Sequence, residues 1–283
     1  DESIFVITTQ LMTSINQTQE NVLAPLDSDE AYCDGLATFG LHNFGESEEV
    51  LDWEYRNDIG EIEARIILRG YPRDMGQVVS CTGQTLWRGG ELLADWCWQT
   101  RHDRRMWSRS VIELGAGLGL CSLLISAKCG APQVVATDGD ELALDALRRN
   151  LDTNAKNGEH FKNMVVRRLQ WGDNAVIATL CSEFASSGNG FGIVLAADVV
   201  YDERSVIPLM STVTALLAPE NGLFVLSFTH RGVNLESILE QATHAGLSVV
   251  ADITPPHQQQ QEDHRRTSNA DKLLLLSWKA SSS

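Results

Sequence analysis

Positive charge is scarce in this 283-residue chain, which has 22 lysines and arginines against 38 aspartates and glutamates and a net charge of −16. Only five residues are lysine, none before Lys128. This balance leaves no basic footprint for a phosphate backbone, so no nucleic-acid partner is expected. Long apolar runs are missing as well. None approaches the ~20 residues of a membrane-spanning helix, and no membrane association is expected. The first residues carry no secretory signal pattern. Cys33, Cys81, Cys97, Cys121, Cys129 and Cys181 form no CxxC pair and mostly lie in apolar segments. They read as reduced thiols of an intracellular protein, cytoplasmic or also nuclear, with no metal site.

What is present suffices for one α/β domain with an extension, since 43% of residues are apolar and a chain of this length can bury a sizeable core. The acids are unevenly spread. Residues 1–80 hold 16 acids and 4 arginines, a net −12, and are expected to form an acidic N-terminal extension with accessory strands. Residues 81–283 form the main domain. Within the extension, Ile62, Ala64, Ile66 and Leu68 alternate with Glu63, Arg65 and Ile67, the pattern of a half-buried strand, and Gln77–Ser80 is its expected antiparallel partner. The acidity suits a basic protein partner. Arg101, Arg104, Arg105 and Arg109 cluster before the core and read as a solvated helix end.

The most informative stretch runs from Val111 to Glu141. Val111–Leu114 is a short buried strand, Gly115, Gly117 and Gly119 form a turn that opens a helix, and Val134–Thr137 is a second strand ending at Asp138. This is a nucleotide-binding βαβ unit: glycines let the backbone approach a ligand, and an acid after the second strand accepts hydrogen bonds from a ribose diol. The helix N-terminus is expected to face an anionic group of the ligand. The glycines alternate as GxGxG and position 120 is Leu, which departs from the GxGxxG of dinucleotide folds. A dehydrogenase and a helix cap that binds nothing stay open as alternatives at this point.

Two later segments converge on the same place. LQWG (Leu169–Gly172) follows a strand-like MVVRRL and puts Trp171 at a third strand end, and IVLAADVVY (Ile193–Tyr201) is a buried parallel strand ending in Asp198 and Tyr201. Ligands of open α/β sheets sit at such strand ends. Trp171 also fits a core aromatic, and Asp198 a cap of the following helix.

With TGQTLWRGGELLADW (Thr82–Trp96), VIELGAGLGL, VVATD, LQWG and LAADVVY, the chain resembles the seven-strand S-adenosylmethionine-dependent methyltransferases of family 16, many of which methylate protein lysines. The resemblance covers about residues 81–283. It implies a Rossmann-like seven-strand sheet with helices on both faces, the seventh strand antiparallel, and S-adenosylmethionine as cofactor. Glu113 belongs to an ELGAG like that of these enzymes, and carried over by motif, Trp87, Gly115, Ala116, Gly117, Asp138, Trp171 and Ala197 touch the cofactor. Arg88 stands where many relatives have proline.

The remaining elements follow from pattern. Leu86–Trp98 is helical, Gly222–Phe228 and Leu247–Ala251 are strands five and six with a helix over Leu235–Ala245 between them, Pro255–Lys272 is a loop, and Leu273–Trp278 is strand seven. For methyl transfer to an amine, Asp198 is cast as the orienting carboxylate and Tyr201, with Phe228, as the wall of a narrow slot. His230 and Arg231 sit near its mouth or simply at the surface. The expected activity is methylation of a protein lysine. Methylation of a histidine or an N-terminal amine, an inactive cofactor-binding subunit, and a dehydrogenase are the alternatives.

Overall fold

The structure is a computed structural model that describes residues 48–57, 59–73, 82–157, 161–185, 189–230, 232–254 and 271–279. Cys33, Cys81, Gln77–Ser80, Arg231, most of the acidic extension and residues 255–270 of the expected loop lie outside them.

Seven strands form the central sheet: β3 (Val111–Leu114), β4 (Val134–Asp138), β5 (Met164–Arg168), β6 (Ile193–Ala197), β7 (Leu223–Phe228), β8 (Leu247–Asp252) and β9 (Lys272–Trp278). Their order is β5-β4-β3-β6-β7-β9-β8, with β9 antiparallel to both neighbours and the other pairs parallel. The order reverses between β3 and β6, where a ligand crevice opens in folds of this kind. The sheet is buried on both faces, which is why its strands read as continuous apolar runs.

Alternate residues feed two cores. Val111, Val134, Ile193, Leu195 and Val225 face one side, and Ile112, Val135, Val194, Phe224 and Leu276 the other. On the first side pack α1 (Arg88–Gln99), α3 (Leu120–Leu124, continued by a π turn over Ile125–Cys129) and α4 (Glu141–Lys156). Between α1 and α3 runs the short α2 (Arg104–Trp107), capped by Asp103. On the second side pack α5 (Asn174–Phe184), α6 (Val206–Leu216) and α7 (Leu235–His244).

A separate antiparallel pair, β1 (Glu49–Arg56) and β2 (Ile62–Gly70), covers the first side. Among the described residues the Ile62 strand pairs with the segment before it. Its signal was the alternation of Leu51, Trp53 and Tyr55 with Asp52, Glu54 and Arg56. Tyr55, Ile66 and Leu68 join the same buried cluster as α1 and α3.

Arg104 and Arg105 are exposed on α2, as a solvated helix end requires, but Arg101 and Arg109 depart from that reading. Arg101 lies over the Trp98 ring, 3.7 Å from its centroid, and pairs with Glu63 at 3.0 Å. Arg109 donates to the carbonyls of Met106 and Asn221. An aromatic face and backbone carbonyls compete with water for a planar guanidinium.

Gly119, the residue before α3, has φ +89°, and a Cβ there would lie 2.0 Å from Leu147 Cδ1 on α4. Gly119→Ala is therefore expected to lower unfolding free energy by about 2 to 4 kcal/mol, the sum of a left-handed backbone and an overpacked contact. Urea denaturation measures it, and an unchanged midpoint would contradict the close packing of the turn on α4.

Candidate functional site

The carboxyl ends of β3, β4 and β6 open into a cavity of about 630 Å³, within the range of small-molecule sites. All ten residues singled out from the sequence as cofactor-binding or catalytic line it. Gly115, Ala116 and Gly117 form its floor, with Trp171 passing over Gly115: the ring Cζ2 is 3.9 Å from where a Cβ of that glycine would stand. Trp171 is half-buried: it lines the cavity and also packs on the second core. Ala197 closes the end of β6.

Asp138 ends β4. Its Oδ2 accepts the Gly117 N–H at 3.1 Å and its Oδ1 the Asp140 N–H at 3.0 Å. Each oxygen keeps a second lone pair, which is what a vicinal diol requires. Burial raises this carboxyl above its usual range.

At the start of α3 the carboxyl of Glu113 accepts the Ser122 N–H at 3.0 Å and also the Ser122 hydroxyl. Gly119, at the N-cap, has no side chain to do this. Glu113 is buried, and burial pushes its carboxyl up to about 7.

Asp198 follows β6 in the left-handed region, with φ +54°. That conformation, costly for most residues but tolerated by Asp, turns the carboxylate toward α1. Its Oδ2 accepts the Gly89 N–H at 2.6 Å and its Oδ1 the Thr229 N–H at 2.9 Å. Asp198 is therefore a cap, though of α1 rather than of the helix after it. That 3-10 and α6 segment starts under Asp202. Trp87, at the N-cap of α1, supplies no cap of its own and instead donates its indole N–H to Thr82 O at 2.9 Å. Arg88, in the first helical position where proline is favoured, makes ion pairs with Glu91 and Asp271.

Tyr201 is 58% exposed and forms part of the rim. Phe228 does not wall the cavity: it is buried in the second core, edge-on to His230, because residues of β7 at that parity face α6 and α7. His230 is exposed and outside the lining. Thr82, Gly83 and Thr85 do line the cavity, as does Gln170. The sequence pattern had not singled them out, although they flank Trp87 and Trp171 in the same motifs.

The lining contains four acids, Glu113, Asp138, Asp140 and Asp198, and among the described residues no lysine, arginine or histidine. A pyrophosphate would meet repulsion here, whereas a cationic ligand would be stabilised. This weighs against the dehydrogenase alternative.

The raised Glu113 carboxyl makes a pH-dependent contribution. The folded protein holds this proton more tightly than the unfolded chain, so the contribution is full below the ordinary value of 4.5 and is lost as pH rises through about 7. Between pH 5 and pH 8 the wild-type protein without ligand is expected to lose up to about 3 kcal/mol more stability than Glu113→Gln. Denaturant titrations at both pH values read this, and parallel curves would show that Glu113 is charged at neutral pH.

Comparison with known proteins places the chain. A calmodulin-lysine N-methyltransferase of Arabidopsis thaliana is 29% identical over 58% of this chain and 51% of its own length. A protein N-terminal and lysine N-methyltransferase of Yarrowia lipolytica is 34% identical over 53% of this chain and 58% of its own. A protein-lysine methyltransferase of Mus musculus is 35% identical over 47% and 50%. The chain thus spans about half the length of these relatives. The crystal structure of SMU.776 complexed with SAH shares the fold, with a TM-score of 0.55 at 12% identity, over 96% of this chain and 66% of that one. A family model described as lysine methyltransferase matches residues 73–244. More than half of the chain falls inside that match, and it belongs to the lysine methyltransferase family.

Proposed function

We propose that the chain is an S-adenosylmethionine-dependent methyltransferase acting on a lysine side chain of a protein. The observation that carries this reading is the acid-lined cavity, in which a diol acceptor at one strand end and an aromatic ring at the next flank a glycine turn. S-adenosylmethionine, when bound, supplies a methyl group already activated on a sulfonium. The donor set fits it: Asp138 would accept the ribose hydroxyls, Trp171 would offer its ring face to the adenine, and Glu113 lies on a wall that would favour the cationic amino-acid end. Trp87, Gly115, Ala116, Gly117 and Ala197 shape the walls.

The acceptor amine must arrive neutral. A lysine has an ordinary pKa of about 10.4, and burial lowers it. A carboxylate favours the charged form, so Asp198 acts as the orienting acceptor through its remaining lone pairs, with Tyr201 walling the entrance. An N-terminal amine is the second reading, supported by the Yarrowia relative, whose name covers both acceptors.

The substrate is a protein, and the −12 charge of residues 1–80 supports a basic one. Residues 81–283 are the transferase unit, onto which the accessory strands pack. Among the described residues no helix is long and apolar enough to cross a membrane. The free cysteines Cys97, Cys121 and Cys129 are buried, which supports a cytoplasmic or nuclear setting.

Asp138→Ala is expected to weaken S-adenosylmethionine binding at least tenfold, the scale of lost hydrogen bonds to a charged group. Calorimetry measures it, and full affinity in a folded variant would remove Asp138 from the ribose site.

Two backbone N–H groups face the two oxygens of Asp198, and an amide can accept only one of them. Asp198→Asn is thus expected to lower the melting temperature. Transfer of labelled methyl to a lysine-bearing protein substrate should fall at least ~10²-fold, with cofactor affinity nearly intact. Undiminished transfer would overturn the orienting role. Equal losses in binding and transfer would assign Asp198 to the cofactor wall alone.

A further inference from the structure

The edge of β2 away from β1 is bound by a helix. Asn154 on α4 accepts the Ile67 N–H at 2.9 Å and donates to Ile67 O at 2.7 Å, and Asn150 accepts the Arg69 N–H at 2.8 Å and donates to Arg69 O at 3.3 Å. Four residues of helix advance about 6 Å and two residues of strand about 6.6 Å, so two asparagines one turn apart match alternate strand residues. Both side chains are buried.

The two amides differ in their last hydrogen bond. The second N–H of Asn154 goes to Asn150 O, within its own helix, at 2.8 Å. That of Asn150 goes to Leu118 O at 3.0 Å, in the glycine turn of the cavity. The end of β2 presses on the same place. A Cβ at Gly70 would lie 2.4 Å from Leu118 Cδ1 and 2.8 Å from Gln84 O. The next residue, Tyr71, donates its N–H to Gln84 O at 2.8 Å, beside the lining residues Thr82 and Thr85.

We propose that Asn150 is a positioning residue for the cofactor site, its buried amide tying the glycine turn at Leu118 to the hairpin strand at Arg69 and so setting where Gly115–Gly117 meets its ligand. This rests on the reading of the cavity as a nucleoside cofactor site. The hairpin is then part of the binding apparatus. Asn154 is a built-in control, because it holds the same strand edge without touching the turn.

The test compares the full chain with Asn150→Ala and Asn154→Ala in S-adenosylhomocysteine calorimetry, thermal melting and amide hydrogen exchange. Both variants are expected to melt earlier. Only Asn150→Ala should bind S-adenosylhomocysteine about tenfold more weakly, the scale of one misplaced hydrogen bond, and only it should exchange the amides of residues 117–120 about tenfold faster. Equal effects of the two variants on affinity and exchange would overturn the proposal, leaving the asparagines as a hairpin clamp. Asn150→Asp keeps the acceptor for Arg69 N–H and removes both donors. It serves if the alanine variant does not fold, with the same expected losses, and failure of both Asn150 variants to fold beside a folded Asn154→Ala would overturn the positioning role. Wild-type protein that ignores S-adenosylhomocysteine would refute the cofactor reading itself. The exchange arm still decides for or against the Asn150 link to the turn.

Discussion

Two helices that wall the cavity begin at residues unable to cap them, and the structure depends on how those ends are satisfied. Gly119 before α3 has no side chain, and Trp87 before α1 has one that cannot accept a hydrogen bond. A buried helix end with unmet N–H groups is costly. Glu113 within β3 and Asp198 just after β6 meet that need from adjacent strands, one on each side of the point where strand order reverses. The same two carboxylates face the cavity. A change that removes either carboxylate therefore also weakens the start of a helix.

That coupling bears on the chemistry. A cavity lined by four acids attracts cations, and the proposed reaction brings two together, a sulfonium and an amine that must shed its proton. Burial of Glu113 and Asp138 raises both carboxyls, and a cation brought beside either of them favours its charged form. Asp198 is set apart by its geometry. Each of its oxygens already accepts a backbone N–H, which limits the freedom left for an amine to a defined direction. A rigid acceptor orients a nucleophile better than a mobile one.

The strands of the main sheet were legible because parallel strands buried on both faces leave continuous apolar runs, and the glycine turn and the acid after β4 carry local chemistry that needs no distant partner. The antiparallel place of β9 came from the family resemblance. Elsewhere the decisive partner lay far off in sequence. Asp198 caps a helix 109 positions away, and nothing near it says which. Arg101 and Arg109 read as solvated because their acceptors, an indole face and the Asn221 carbonyl, are visible only after folding. β1 was not singled out although Leu51, Trp53 and Tyr55 alternate, since the acids between and around them masked its apolar face. Phe228 was placed in the cavity by proximity to a strand end, whereas strand parity sends it to the opposite core.

The position of β9 has a consequence for synthesis. β8 pairs only with β9 among the described residues, and β9 sits between β7 and β8. A growing chain that has made β8 has no slot for it: the edge of β7 stays open, with Val225 and Leu226 unpaired, until residues 272–278 emerge from the ribosome. The nascent sheet therefore closes by insertion, two strands at once, and an early stop within that last strand would leave a three-layered core with its flank exposed to pairing with another chain.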